Sequence, residues 1–280
     1  MSRTQVALLT ALAMIAFAGN SLLCRMALLH TRIDPASFTS IRLLSGALVL
    51  WAIVAAKGDK PGAAGSWTSA LALFAYAAAF SFAYVSLSAA TGALLLFGAV
   101  QTSMISFGLW RGERLTGRQM AGLALAIAGL LALLLPGLSA PPPLAAMLML
   151  GAGCSWAVYS LRGKNAANPI QTTSGNFLRA VPFAAGLSLA MLSHRSLDGA
   201  GIAYAVASGG LASGVGYAIW YTALRGLQAT TAATVQLSVP VIAALGGVAL
   251  LGETVAPRLL IASTAILGGI ALITLSPRRN

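Results

Sequence analysis

Apolar stretches in this chain are long and polar ones are short. Runs such as "QMAGLALAIAGLLALLL" and "LLIASTAILGGIALITL" are bounded by compact clusters of charge, glycine or proline. Each approaches the roughly 20 residues that an α-helix needs to cross about 30 Å of hydrocarbon. A bilayer core offers backbone groups no water, so runs of this kind must satisfy their own hydrogen bonds as helices. Counting between polar breaks predicts an all-α integral membrane protein with ten transmembrane helices, over 4–29, 34–56, 66–87, 90–110, 116–136, 143–161, 171–192, 199–223, 228–250 and 256–276. The first run is too long for a signal peptide and carries Asn20 and Arg25 near its far end, which reads as a retained helix.

Composition agrees: 58% of the 280 residues are hydrophobic and 8% charged, against about 45–50% and 25% in soluble domains. The net charge of +12 raises the question of nucleic acid, but the basic residues are spread over the helix ends and form no single patch. They encode orientation instead. With a cytoplasmic N-terminus the inner side holds Arg3, Lys57, Lys60, Arg111, Arg114, Arg118, Arg162, Lys164, Arg225, Arg278 and Arg279, and the outer side only Arg32, Arg195 and Arg258. The positive-inside rule then puts both termini in the cytoplasm.

The chain repeats itself. At a spacing of 140, Ala89 falls on Ala229, Gly112 on Gly252, Glu113 on Glu253 and Gly129 on Gly269; at 137, Arg25 falls on Arg162 and Arg42 on Arg179. This predicts two five-helix units, 1–138 and 143–280, joined by the stiff "SAPPPL" linker. Five is odd, so the second unit enters the membrane from the opposite side. Inverted repeats of this kind place a solute site near the midplane between the halves.

The closing segments "GERLTGRQMAGLALAIAGLLAL" and "GETVAPRLLIASTAILGGIALI", a Gly-Glu followed by a glycine-bearing helix in each half, resemble the EamA-type branch of the drug/metabolite transporter superfamily. The second copy has Ala262 where the first has Gly122. The resemblance covers nearly the whole chain and implies ten helices around a central cavity lined mainly by the first, third, fourth, sixth, eighth and ninth. Within the branch the chain is similar to exporters of aromatic amino acids, which implies an exporter of Phe, Trp, Tyr and related small metabolites, the alternatives being an exporter of other, threonine-like neutral amino acids or amphipathic drugs, or a proton-coupled antiporter.

Residues on those helices show what such a cavity could hold. Tyr76, Phe80 and Tyr84 recur every four positions on the third span, and Tyr217, Trp220 and Tyr221 cluster on the eighth. Trp156 and Tyr159 stand three apart on the sixth, and Asn20 and Gln101 supply amides on the first and fourth. Trp156 stands out because it sits mid-span, away from the interfacial belts where Trp gathers. An aromatic lining with a few amides and no midplane charge suits a neutral or zwitterionic solute with an apolar body. Helical spacing of aromatics also serves packing, and both readings stand at this point.

Pro240 falls mid-span in the ninth helix and crowds the carbonyl of Gln236, so Gln236 is expected at a kink facing substrate or water. Pro182 predicts a second kink, in the seventh span. Arg42 and Arg179 lie eight or nine positions inside their spans. Two readings apply: pairing across the halves to close a gate, Arg42 with Glu253 and Arg179 with Glu113, or snorkelling to headgroups. The small residues of "SGGLASGVGY" predict close helix approach.

The carboxylates Asp34, Asp59, Glu113, Asp198 and Glu253 all lie at span ends, and His30 and His194 at outer ends, so no midplane acid or imidazole relays protons. Uniport or exchange is expected. Cys24 and Cys154 form no CxxC motif, no GxxxxGK loop occurs, and nothing groups into a catalytic or metal site. The chain is therefore expected to be no enzyme, to need no cofactor or metal, and to have as partners a small-molecule substrate and the lipid bilayer, with no nucleic acid. No oligomeric state is set by the sequence, and a monomer suffices.

Overall fold

A computed structural model describes residues 1–112, 115–135, 140–163, 166–227 and 235–274. Regular structure among them is helical: α1 (Arg3–His30), α2 (Pro35–Ala56), α3 (Trp67–Tyr84), α4 (Ala89–Trp110), α5 (Gly117–Leu134), α6 (Pro143–Gly163), α7 (Pro169–Ala190), α8 (Gly199–Leu224), α9 (Ser238–Leu251) and α10 (Pro257–Thr274). Side-chain caps explain the starts. Ser2 with Gln5 and Thr116 with Gln119 form capping boxes on α1 and α5. Asp34 and Asn168 cap α2 and α7, each followed by a proline at the first helical position. α9 stops at Gly252, whose φ of 62° is the left-handed conformation that favours glycine.

α1 to α6 and α8 are each long and apolar enough to cross a membrane, and α9 and α10 are shorter apolar helices. The chain is a multi-pass membrane protein. α7 spans 22 residues but carries Gln171, Thr172, Thr173, Ser174, Asn176 and Arg179 on its first half, and it buries much of that polar surface against α2 and α3. Residues 228–234 lie outside the described set, and the ninth helix is seen from Ser238, later than the sequence pattern predicts.

The halves interleave. α3 lies against α6 and α7, α2 against α7 and α8, α4 against α6 and α9, and α1 against α8 and α9. At the periphery α5 runs along α10, where a Cβ on Gly122 would lie 2.6 Å from the Gly269 carbonyl oxygen and one on Gly269 would lie 2.4 Å from that of Gly122. The glycines of the repeated closing motif thus permit backbone contact between the two repeats.

The middle of α8 widens into a π-helix over Ala207–Val215. Such segments are rare and often mark functional sites. Here small residues let it press on α2: a Cβ on Gly209 would sit 2.0 Å from the Arg42 carbonyl oxygen.

Candidate functional site

Where α1, α2, α3, α6 and α8 converge, a seam of aromatic rings joins the halves. Trp156 is its hub, with ring centroids 4.8 Å from Tyr76, 5.4 Å from Tyr159 and 5.3 Å from Tyr217. Tyr76 continues to Phe80 at 5.4 Å and Phe80 to Tyr84 at 4.7 Å, edge-on. On the other flank Tyr217 meets Phe17 and Phe177, and Phe17 meets Trp220. Tyr76, Phe80, Tyr84, Tyr159, Tyr217 and Trp220 are buried, whereas Trp156, Phe17 and Tyr221 are only half-buried.

A polar thread crosses this seam. Ser208 Oγ, in the π segment, donates to Asn20 Oδ1 at 2.6 Å. Asn20 Nδ2 donates to the Tyr76 phenol oxygen at 3.3 Å, and Arg42 Nη2 donates to the same oxygen at 3.0 Å. Arg42 is 2% exposed, and its guanidinium carbon lies 4.9 Å from the Phe80 ring centroid and 5.2 Å from that of Tyr76. Its Nε and Nη1 have no hydrogen-bond partner among the described residues.

This corrects the expectation for Arg42. It neither reaches Glu253 nor snorkels, and the centre is not free of fixed charge. A guanidinium stays protonated in proteins, so it cannot relieve burial by neutralising. Each ring face is worth about 2 kcal/mol when desolvated, of the same order as the several kcal/mol lost in leaving water. The rings do nothing for the N–H donors on Nε and Nη1, and every dry donor costs about 1–3 kcal/mol or more on a charged group.

Glu253 pairs with Arg25 instead, Nε to Oε1 at 3.1 Å. Arg25 Nη1 also donates to the carbonyls of Tyr84 and Val85, both at 3.0 Å, and Glu253 Oε2 accepts from the Ala89 backbone N–H at 2.8 Å. One knot thereby ties α1, the α3–α4 turn and the end of α9. Arg179 donates to the carbonyls of Ala64 (2.8 Å), Gly175 (3.0 Å) and Gly62 (3.2 Å). Its expected partner, Glu113, lies outside the described residues.

A cavity of about 430 Å³ opens between the ends of α3, α6 and α7, lined by residues that include Ser66, Ser69, Arg162, Thr172 and Asn176. Arg162 donates to Ser69 Oγ and Thr68 Oγ1 there. Tyr159 lies one turn further into α6 than this opening.

Of the other expected residues, Gln101 is buried on α4 and Gln236 sits at a helix break just before α9; no hydrogen bond joins either to the seam among the described residues. The Gln236 carbonyl, expected to be free, accepts from the Val239 N–H at 3.1 Å. Pro240 falls in the first turn of α9, where no N–H is needed, and α7 runs on through Pro182. Tyr221 makes no ring contact among the described residues. Sequence reasoning missed Phe17, Phe177 and Ser208, as well as Arg25 as the partner of Glu253. Phe17 stands three before Asn20 on α1, a spacing that could have flagged it; Phe177 lies on α7, outside the helices expected to line the centre.

Comparison with known proteins places this arrangement. The EamA-like transporter family matches residues 4–135 and 143–275. An uncharacterized protein of Pseudomonas aeruginosa is 60% identical over 273 residues, 97% of this chain and 94% of that one. The threonine/homoserine exporter RhtA of Escherichia coli K12 is 33% identical over 139 residues, and that of Salmonella typhimurium LT2 34% over 141; each alignment covers 48% of this chain and 46% of the exporter. A crystal structure shares the fold with a TM-score of 0.68 at 21% identity, covering 98% of this chain and 99% of its own.

Proposed function

We propose, from the premise that this chain belongs to the EamA-like transporter family, that it is a secondary transporter exporting amino acids and related small metabolites across a bacterial inner membrane by alternating access. Its solute rests on the seam centred on Trp156. The observation that carries this reading is the origin of the seam: Asn20, Tyr76 and Phe80 come from one half and Trp156, Tyr159, Ser208 and Tyr217 from the other, so relative motion of the halves would expose the site to either side. Aromatic solutes stack on such rings, which favours Phe, Trp and Tyr.

The proposed architecture is ten crossings in two inverted halves, 1–138 and 143–280, with both termini cytoplasmic. Supporting it, helix ends expected on one side meet there: Asp34 with Ser196 and Arg25 with Glu253 outside, Asn168 with Asp59 and Arg162 with Thr68 inside. In this arrangement the Arg25–Glu253 knot closes the outer side and the cavity beside Arg162 is the inner mouth. Asp34, Asp59, Asp198 and Glu253 are committed to contacts at helix ends, which supports uniport or exchange over proton coupling through carboxylates. No cofactor is invoked, and one chain supplies every residue of the seam.

Identity to RhtA over half the chain favours a second reading of substrate, a neutral hydroxy amino acid such as threonine, for which Asn20 and Ser208 offer polar contacts. Counterflow in proteoliposomes preloaded with phenylalanine, tryptophan, tyrosine or threonine tests both. We expect saturable exchange of at least one without a pH gradient. Exchange of none of them would overturn the export reading, and strict dependence on a pH gradient would overturn uniport.

A further inference from the structure

We infer that Arg42 is the substrate's carboxylate clamp, so that the transporter selects solutes carrying an anionic head on an apolar or aromatic body. The inference rests on the reading that the seam holds the solute, and it names what that site demands chemically.

The argument starts from donors. A guanidinium has five N–H bonds: one on Nε and two on each terminal nitrogen. Arg42 commits Nη2 to Tyr76 and, among the described residues, leaves Nε and Nη1 unpartnered at 2% exposure. The rings of Phe80 and Tyr76 lie about 5 Å from its guanidinium carbon, and an incoming acceptor would meet the free N–H bonds along the guanidinium edge, where they point. Carboxylates match that edge geometry. Among the described residues, Asp34, Asp59, Asp198 and Glu253 each have other partners, and none of them serves Arg42 as a counter-ion. A resident salt bridge would leave a clamp occupied; an unpaired one stays available for an anion brought from outside.

The surroundings hold this edge in place. Asn20 and Ser208 fix the Tyr76 phenol that orients Nη2. Gly209 lets the π segment approach the Arg42 backbone so closely that no side chain fits between them. The seam from Tyr76 through half-buried Trp156 to Tyr217 then runs beside the charge, offering apolar surface for the solute's body. An ammonium group, where the solute has one, can face the Trp156 or Tyr217 ring.

Ligand pairs differing only in the head group test this on purified full-length protein. Phenylalanine and threonine are titrated beside their decarboxylated forms, phenethylamine and 1-aminopropan-2-ol, and beside 3-phenylpropionate, which keeps the carboxylate and lacks the amine. Wild type should bind a carboxylate-bearing member on the order of 100-fold more tightly than its decarboxylated partner. Arg42→Gln should abolish that ratio by weakening the acids alone, and Arg42→Lys should restore only part of it. The ratio is taken within one preparation, so partial loss of folded protein cancels. Equal binding of acid and amine by wild type, an equal loss of both in Arg42→Gln, or binding of no carboxylate at all would overturn the clamp. Binding of 3-phenylpropionate through Arg42 with no amino-acid counterflow would sink the amino-acid reading and leave the clamp standing. Counterflow that survives Arg42→Gln with its acid-to-amine ratio unchanged would do the reverse.

Discussion

Arg42 and Arg179 occupy matching places in the two halves, 137 residues apart, and their surroundings differ. Arg179 is half-buried and satisfied by three backbone carbonyls, two of them from the loop at Gly62 and Ala64. Glycine makes that cradle possible, since a Cβ on Gly175 would lie 1.7 Å from the Ala64 carbonyl oxygen. Arg42 is buried against the rings of Tyr76 and Phe80, with one phenol as its only hydrogen-bond partner among the described residues. A charge bonded to its own chain holds the fold together, whereas a charge left short of partners at the junction of the halves is set for a ligand. Duplication thus supplied one residue type twice, and the local backbone decided which copy became structural.

The sharpest way to break this comparison is to truncate each arginine. Arg42→Met should lower solute exchange by about 100-fold while leaving the thermal midpoint in detergent unchanged or raised, because replacing a dry charge by an apolar side chain removes its desolvation cost. Arg179→Met should do the opposite, costing about 2 kcal/mol of stability through its lost carbonyl bonds with solute affinity retained. A common loss of both properties in both variants would erase the distinction.

Trp156→Ala should weaken solute binding by about 10-fold, as it removes the ring on which three aromatic contacts converge. Trp220→Ala, whose ring contact is with Phe17 at the edge of the seam, should change affinity by less than half as much on a logarithmic scale. Isothermal titration of the two variants side by side checks the ranking.

The Arg25–Glu253 knot, proposed to close the outer side, offers a smaller effect. Cys24 is fully buried beside Arg25, and Cys154 is exposed. In a Cys154→Ser background, Glu253→Gln should weaken the charge-assisted bond to Arg25 and speed labelling of Cys24 by an impermeant maleimide several-fold. Unchanged labelling would show that the knot does not bar the outer side.

Smallest is a pH effect where the start of α2 meets the segment before α8. Burial works against ionisation of Asp34, but hydrogen bonds from the Ser37 side chain and from the backbone N–H groups of Ser196, Ser37 and Ala36 outweigh it and hold its carboxyl below the ordinary value. A depressed folded-state value means the contribution is present above the unfolded value of about 3.9 and is lost as pH falls through the folded one. The thermal midpoint of wild type should therefore fall more steeply as pH drops below about 4 than that of Asp34→Asn.

Much of the fold was legible because bilayer physics leaves few options. Apolar run length between polar breaks places nearly every described helix end within three residues of expectation. The aromatic seam was legible for a related reason: Tyr76 and Phe80, or Trp156 and Tyr159, share a helix face by spacing alone. Partner choice was not. The depth of Arg42 and of Arg25 could be read from their spans, but which of them meets Glu253 depends on how α1, α2 and α9 cross, and crossing angles leave no mark in one sequence. The π segment was hidden too, since "ASGGLASGV" reads equally as close-packed α-helix. Pro240 pointed to a break near Gln236; that the break lies before α9, with the carbonyl satisfied by Val239, follows from where the helix restarts.

Trp156 itself reports most directly on whether solute rests on the seam. In a variant with Trp51, Trp67, Trp110 and Trp220 replaced by phenylalanine, titration with phenylalanine or threonine should change Trp156 emission saturably, with a midpoint matching half-saturation of exchange by the same variant in proteoliposomes. Saturating exchange over an unchanging Trp156 signal would put the solute elsewhere and contradict the account.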